Sequence, residues 1–108
     1  MGHWGTGPLE NDSAGDWFYQ LEKKSIVDLI EAGLNSKDYD EVRAAAWLLE
    51  RVGLSYVYPL GKLDRHKQLA VYRLTAIAHD TVWIERWKEP KDIRAAVLAQ
   101  MYRLADKK

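Results

Sequence analysis

The chain has 108 residues and no net formal charge, with 16 Lys and Arg against 16 Asp and Glu, 47% hydrophobic residues, 30% charged residues and no cysteine. This length suits about one domain, 1–108, able to bury roughly two thirds of its unfolded surface, and the composition is that of a folded globule rather than a disordered chain. Disulfides, thiolate metal sites and a cysteine nucleophile are excluded. No stretch approaches the ~20 apolar residues of a membrane span, and no basic segment leads into an apolar run at the start, so a cytoplasmic protein with no membrane contact is expected. The zero net charge hides an asymmetry: residues 1–54 hold 10 acids and 5 bases, residues 55–108 hold 6 acids and 11 bases. Such a division can report a charged partner.

Gly2, Gly5, Gly7 and Pro8 make residues 1–11 a glycine-rich loop that ends in two capping candidates, Asn11 and Asp12. A first helix follows, with Ala14, Trp17, Phe18 and Leu21 spaced along one face. Ser25 is placed to cap a second helix whose apolar positions are Ile26, Leu29 and Ile30, with Gly33 near its end. Asp38 and Glu41 have capping-box spacing before a third helix that closes at Gly53. Val42, Ala44, Ala45, Ala46, Trp47, Leu48, Leu49 and Val52 make that helix apolar around much of its circumference, which predicts a central position.

Residues 56–59 are too short and isolated to form a sheet and act as a connector. The fourth helix is expected from about Lys62 to His79, with Leu63, His66, Lys67, Ala70, Val71, Leu74, Ile77 and Ala78 inward and Arg65, Gln68, Tyr72, Thr75 and His79 outward. Asp80 starts a short segment carrying Val82, Trp83, Ile84 and Trp87, and Pro90 suits the first position of a last helix with Ile93, Ala96, Val97, Met101 and Leu104 on one face. The architecture expected is all-α, a five- or six-helix bundle-like domain.

Few patterns point to chemistry. The order G-x-x-G-x-G is not a dinucleotide fingerprint, no strand precedes it, and Glu10, Asp12 and Asp16 would repel a phosphate at the helix start. Asp12 and Asp16 share a helix face and, with His3 nearby in sequence, could make a metal or acid–base site, but Asp12 is better explained as a cap, and the helix dipole favours two carboxylates at a helix start. His66 and His79 are 13 residues apart on one helix and face different directions, so they cannot chelate one ion. His66 is expected at the edge of the core with one hydrogen bond, and His79 at a helix C-terminus where its charge is favourable. Basic residues beside aromatics, as at Tyr72-Arg73 and Trp87-Lys88, raise nucleic-acid binding, but the bases lie on three segments and not in one stripe. Trp4 and Trp87 fall in irregular contexts and are candidate interface anchors. The first six residues also fit a myristoylation pattern, but the following stretch is acidic and offers no polybasic second anchor.

The opening Met1-Gly2-His3-Trp4-Gly5-Thr6-Gly7-Pro8-Leu9-Glu10-Asn11-Asp12, followed by Asp16-Trp17, resembles the start of a small bacterial family known only as a domain of unknown function, with the pattern M-G-x-W-G-T-G-P-F-x-N-D. Leu9 stands where Phe is usual and Ser13 where a second Asp is frequent, so no acidic pair spans 12 and 13. The resemblance implies a small helical cytoplasmic protein of the immunity or accessory kind and brings no established activity.

The reading that results is a non-enzymatic, partner-binding helical protein, immunity or antitoxin-like, whose partner is another protein. The alternatives are a small enzyme or a metal- or ligand-binding domain using the N-terminal loop, and nucleic-acid binding. The candidate binding residues are His3, Trp4, Thr6, Asn11, Asp12 and Asp16 at the N-terminus, with Tyr72, His79 and Trp87 in the second half. No catalytic residue, metal or cofactor is assigned.

Overall fold

Six helices follow one another along the chain: α1 (Asp12–Phe18), α2 (Ile26–Leu34), α3 (Tyr39–Val52), α4 (Leu60–Ala78), α5 (Thr81–Glu85) and α6 (Pro90–Asp106). This computed structural model describes residues 5–18, 25–53 and 58–106, with Asp12, Phe18, Leu60 and Asp106 described through their backbone alone. Among the described residues there is no strand, and no helix is long and apolar enough to cross a membrane. The expected all-α class is therefore the observed one. Leu21 and residues 56–57 lie outside the described residues.

The helix starts follow from short polar side chains that take up otherwise unpaired backbone N–H groups. Asn11 accepts the Ala14 N–H at 2.7 Å, Ser25 the Asp28 N–H at 3.1 Å, Asp38 the Asp40 N–H at 2.8 Å and Asp80 the Trp83 N–H at 3.2 Å. Asp38 thus caps one residue earlier than the capping-box spacing predicts. Helix α4 begins at Leu60, two residues before the expected Lys62, with Pro59 as its cap and no side-chain hydrogen bond there. Pro90 opens α6, the position where a missing N–H costs nothing.

Helix α3 occupies the centre and packs against α1, α2, α4 and α6. Val42, Ala44, Ala45, Ala46 and Leu49 are all buried, and the three alanines let neighbouring helices come close. The tightest approach is at Gly33 of α2, where an added Cβ would lie 2.6 Å from the Ala45 Cβ and 2.9 Å from the Trp17 Nε1. Buried Ala70, Leu74 and Ile77 of α4 and Ile93, Val97 and Leu104 of α6 lie in the same core, where these two helices pack together. Ile26, expected inward, is 36% exposed: it stands in the first turn of α2, and the buried face of that helix is formed by Leu29, Ile30, Gly33 and Leu34.

One ionised group enters the core. Arg43 on α3 is 1% exposed, and its Nε donates to the Gln100 Oε1 at 2.9 Å while the Gln100 Nε2 donates to the Arg43 carbonyl at 3.0 Å. The pair ties α3 to α6 through both a side chain and a backbone group. Burial lowers the Arg43 pKa to about 10, opposed by the nearby carboxylates of Asp40 and Glu10.

The glycines give a direct test of this packing. Gly33→Ala is expected to destabilise by about 1–3 kcal/mol through overpacking. Gly15→Ala, in the exposed part of α1 where an added Cβ meets nothing within 4 Å, is expected to stabilise by about 0.4–1 kcal/mol. Urea midpoints at unchanged m values measure both, and a neutral Gly33→Ala would contradict the close approach described.

Candidate functional site

The N-terminal loop is organised around one carboxylate. Glu10 Oε1 accepts the Gly7 N–H at 2.9 Å, the Glu10 N–H donates back to the Gly7 carbonyl at 3.1 Å, and a Cβ at Gly5 or Gly7 would collide with the Glu10 carboxylate. The absence of a Cβ at both positions lets that carboxylate sit against the loop backbone. Asn11 is 2% exposed and engaged on both sides of its amide, donating to the Pro8 carbonyl at 3.4 Å and capping α1. Of the other N-terminal candidates, Thr6 is half-buried in the loop, Asp16 is exposed on α1, and His3, Trp4 and the Asp12 side chain lie outside the described residues. Among the described residues no group of three His, Asp or Glu side chains is placed to hold a metal ion.

A more organised set of polar groups lies between α2 and α4. His66 is 4% exposed, its Nδ1 is hydrogen-bonded to the hydroxyl of the equally buried Tyr58, and its Nε2 lies 3.3 Å from the Glu31 Oε1. A neutral imidazole that donates its Nε2–H to the Glu31 carboxylate accepts the Tyr58 hydroxyl at Nδ1. Burial, and then the negative charge of Glu31, push the Tyr58 hydroxyl well above the usual phenol pKa, which keeps it protonated. The result is a chain of hydrogen bonds from a buried phenol through a buried imidazole to a half-exposed carboxylate.

That carboxylate lines a cleft of about 380 Å³ together with Asn35, Arg65, His66, Gln68, Leu69 and Tyr72. On the opposite flank of Tyr72 a second cleft of about 440 Å³ runs between α4 and α6, lined by Asp64, Lys67, Gln68, Val71, Tyr72, Leu104 and Ala105. Tyr72 is therefore a ridge between two hollows, and with 71% of its surface exposed it is the most exposed of the large hydrophobic residues described.

The two other second-half candidates have local roles. His79 ends α4 and donates its Nδ1–H to the Thr75 carbonyl at 2.8 Å, as expected of a histidine at a helix C-terminus. Trp87 is half-buried and packs edge-on against Trp83, ring centroids 5.5 Å apart, and Trp83 packs edge-on against Tyr39 at 5.4 Å. The Tyr39 hydroxyl donates to the Asp80 Oδ2 at 2.7 Å, so this aromatic row is fastened to the cap of α5.

Residues 2–49 match the family model described as Domain of unknown function (DUF4259). No curated protein and no solved structure matches the chain. The match supports a family of unknown function and spans the N-terminal loop, α1, α2 and most of α3. Of the cleft residues it includes Glu31 and Asn35 and stops before Tyr58, His66 and Tyr72.

Three bases of the second half act within the fold. Arg73 on α4 donates to the Leu34 and Ser36 carbonyls at 2.6 and 2.7 Å, closing the C-terminal end of α2. Arg94 on α6 donates to the Ala78 carbonyl at 3.1 Å at the end of α4, and Arg103 pairs with Glu50 of α3 at 2.9 Å. Sequence spacing gave no sign of Glu31, which is 35 residues from its imidazole partner, or of Tyr58, which stood in an apparent connector. His66 has two partners instead of the one expected.

Two outcomes follow for the buried phenol and for the cap. Tyr58→Phe leaves the buried imidazole nitrogen without its donor and is expected to cost about 1–3 kcal/mol, whereas Glu31→Gln, at a half-exposed position, should cost under about 1 kcal/mol; denaturant titration separates them. The Asp80 carboxyl is held below its ordinary value of 3.8 first by the Tyr39 hydroxyl and then by the Trp83 N–H, so its contribution is present above pH 3.8 and is lost as pH falls through the lowered native value. Asp80→Asn should therefore melt below wild type at neutral pH, and the gap should close on acidification past 3.8; a gap independent of pH would contradict the ionised bond.

Proposed function

We propose that this chain is a non-enzymatic protein-binding module of bacteria, acting in the cytoplasm as an immunity or antitoxin-like protein that covers another protein with the Tyr72 face of α4. The observation that carries this reading is the exposed Tyr72 ring standing between two hollows that share it and Gln68 as a common wall. Tyrosine is among the side chains that most often anchor protein interfaces, because a rigid ring presents a large apolar area and a hydroxyl at little entropic cost. Flanking hollows can receive side chains from the partner.

Two further observations favour this reading over its rivals. In the N-terminal loop, Glu10 and Asn11 are engaged with backbone groups, which supports a loop held in shape for packing over one presenting reactive carboxylates. The bases Arg73, Arg94 and Arg103 bond to carbonyls and to Glu50, which takes them out of the cation supply that phosphate contacts require.

A photo-crosslinking amino acid placed at Tyr72 is expected to give one discrete protein adduct in cells of the source organism, and the same group at exposed Ala99 of α6 none. In the purified complex, Tyr72→Ala is expected to weaken binding by a factor of ten or more, on the order of an interface anchor of at least ~1.4 kcal/mol. Equal labelling from both positions, or none from Tyr72, would sink the assignment of this face.

A further inference from the structure

The cleft between α2 and α4 contains two opposite charges that do not pair with each other. Glu31 and Arg65 both line it, and among the described residues Glu31 pairs with His66 and Glu50 with Arg51 and Arg103. Arg65 is exposed on α4. Glu31 uses only Oε1 in its bond to His66, so its second oxygen is open to a ligand. The Asn35 Nδ2 donates to the Glu31 backbone carbonyl at 3.0 Å, which leaves its amide oxygen for another donor. Leu69 and Tyr72 supply apolar surface beside these groups, and the volume of about 380 Å³ falls within the range of small-molecule sites.

We propose that this cleft binds a zwitterion that carries an ammonium and a carboxylate beside an apolar group, either an α-amino acid or a short peptide with free ends. Glu31 takes the ammonium, Arg65 the carboxylate, and Leu69 with Tyr72 the apolar side chain. A pure anion would meet the Glu31 charge and a pure cation the Arg65 charge, so a molecule bearing both signs is favoured over either. The buried Tyr58–His66 pair explains why Glu31 suits this role. It fixes one carboxylate oxygen from below, so the group is oriented before any ligand arrives. The cleft is one of the two hollows beside Tyr72 and so shares that wall with the protein-binding reading, but a zwitterion can be assayed on the isolated chain without the partner.

The test is a titration of the ¹⁵N-labelled chain with L-phenylalanine and with L-phenylalanyl-L-phenylalanine, alongside phenethylamine and 3-phenylpropionate, which each keep one charge. Saturable shifts are expected at the amides of Asn35, Gln68 and Leu69 with a zwitterion. Binding should be about tenfold or more weaker for both single-charge analogues, and for Glu31→Gln and Arg65→Gln, the loss of one charge-assisted hydrogen bond. Tighter binding of phenylalanine assigns the site to free amino acids, tighter binding of the dipeptide to peptides, and either supports the proposal. It is overturned by the absence of saturable shifts with both zwitterions, by a single-charge analogue that binds equally well, or by unchanged affinity in either variant. Arg65→Gln alters an exposed side chain and so keeps the test sound should Glu31→Gln disturb the fold. Failure here leaves the Tyr72 cross-linking result untouched.

Discussion

The closeness with which α1 and α2 approach α3 is the constraint on which the rest of the structure depends. At Gly33 there is no room for a single further carbon between α2, Ala45 and Trp17. Because Ala44, Ala45 and Ala46 are small and buried, α3 can serve as a post against which four helices lean. That position fixes where Arg43 enters the core and where Gln100 must stand to receive it. It also sets α2 at the height from which Glu31 reaches His66 across to α4. Widening the contact at Gly33 would displace each of these together.

Much of the architecture could be read directly from residue order. The alanine-rich third helix, the caps at Ser25, Asp38 and Asp80 and the proline opening the last helix depend on neighbours within one turn, so spacing carries them. The helical face of α4 was legible for the same reason, and its exposed side included Tyr72. Distant pairing left no such trace. Glu31, Tyr58 and His66 come from three segments, and Arg43 meets Gln100 across 57 positions, so no periodic pattern in either partner announces the other. The contact of the glycine loop with the carboxylate of its own Glu10 likewise had no signature in the residue order.

The asymmetry of charge takes on a different meaning in three dimensions. An acidic first half and a basic second half would suit a strongly dipolar molecule if the halves lay apart. Here they are interleaved: α4 and α6 carry guanidinium groups to the ends or flanks of α2, α3 and α4. Three of the bases therefore act within the fold, and side chains of both signs line the hollows on either side of Tyr72, Asp64 with Lys67 and Glu31 with Arg65. A surface of this kind discriminates partners by arrangement of charge more than by its sum.

The arginine-to-carbonyl bonds also bear on how the chain is assembled. Arg73 closes the end of a helix that precedes it by some forty positions, and Arg94 closes the end of the helix that contains Arg73. The ends of α2 and α4 are thus completed by helices synthesised after them. The segment 2–49 that matches the family model contains a helix, α2, whose C-terminal carbonyls are satisfied from outside it. A helix inside the recognised segment therefore depends at its end on a side chain that the segment does not contain, which ties the second half of the chain to the first.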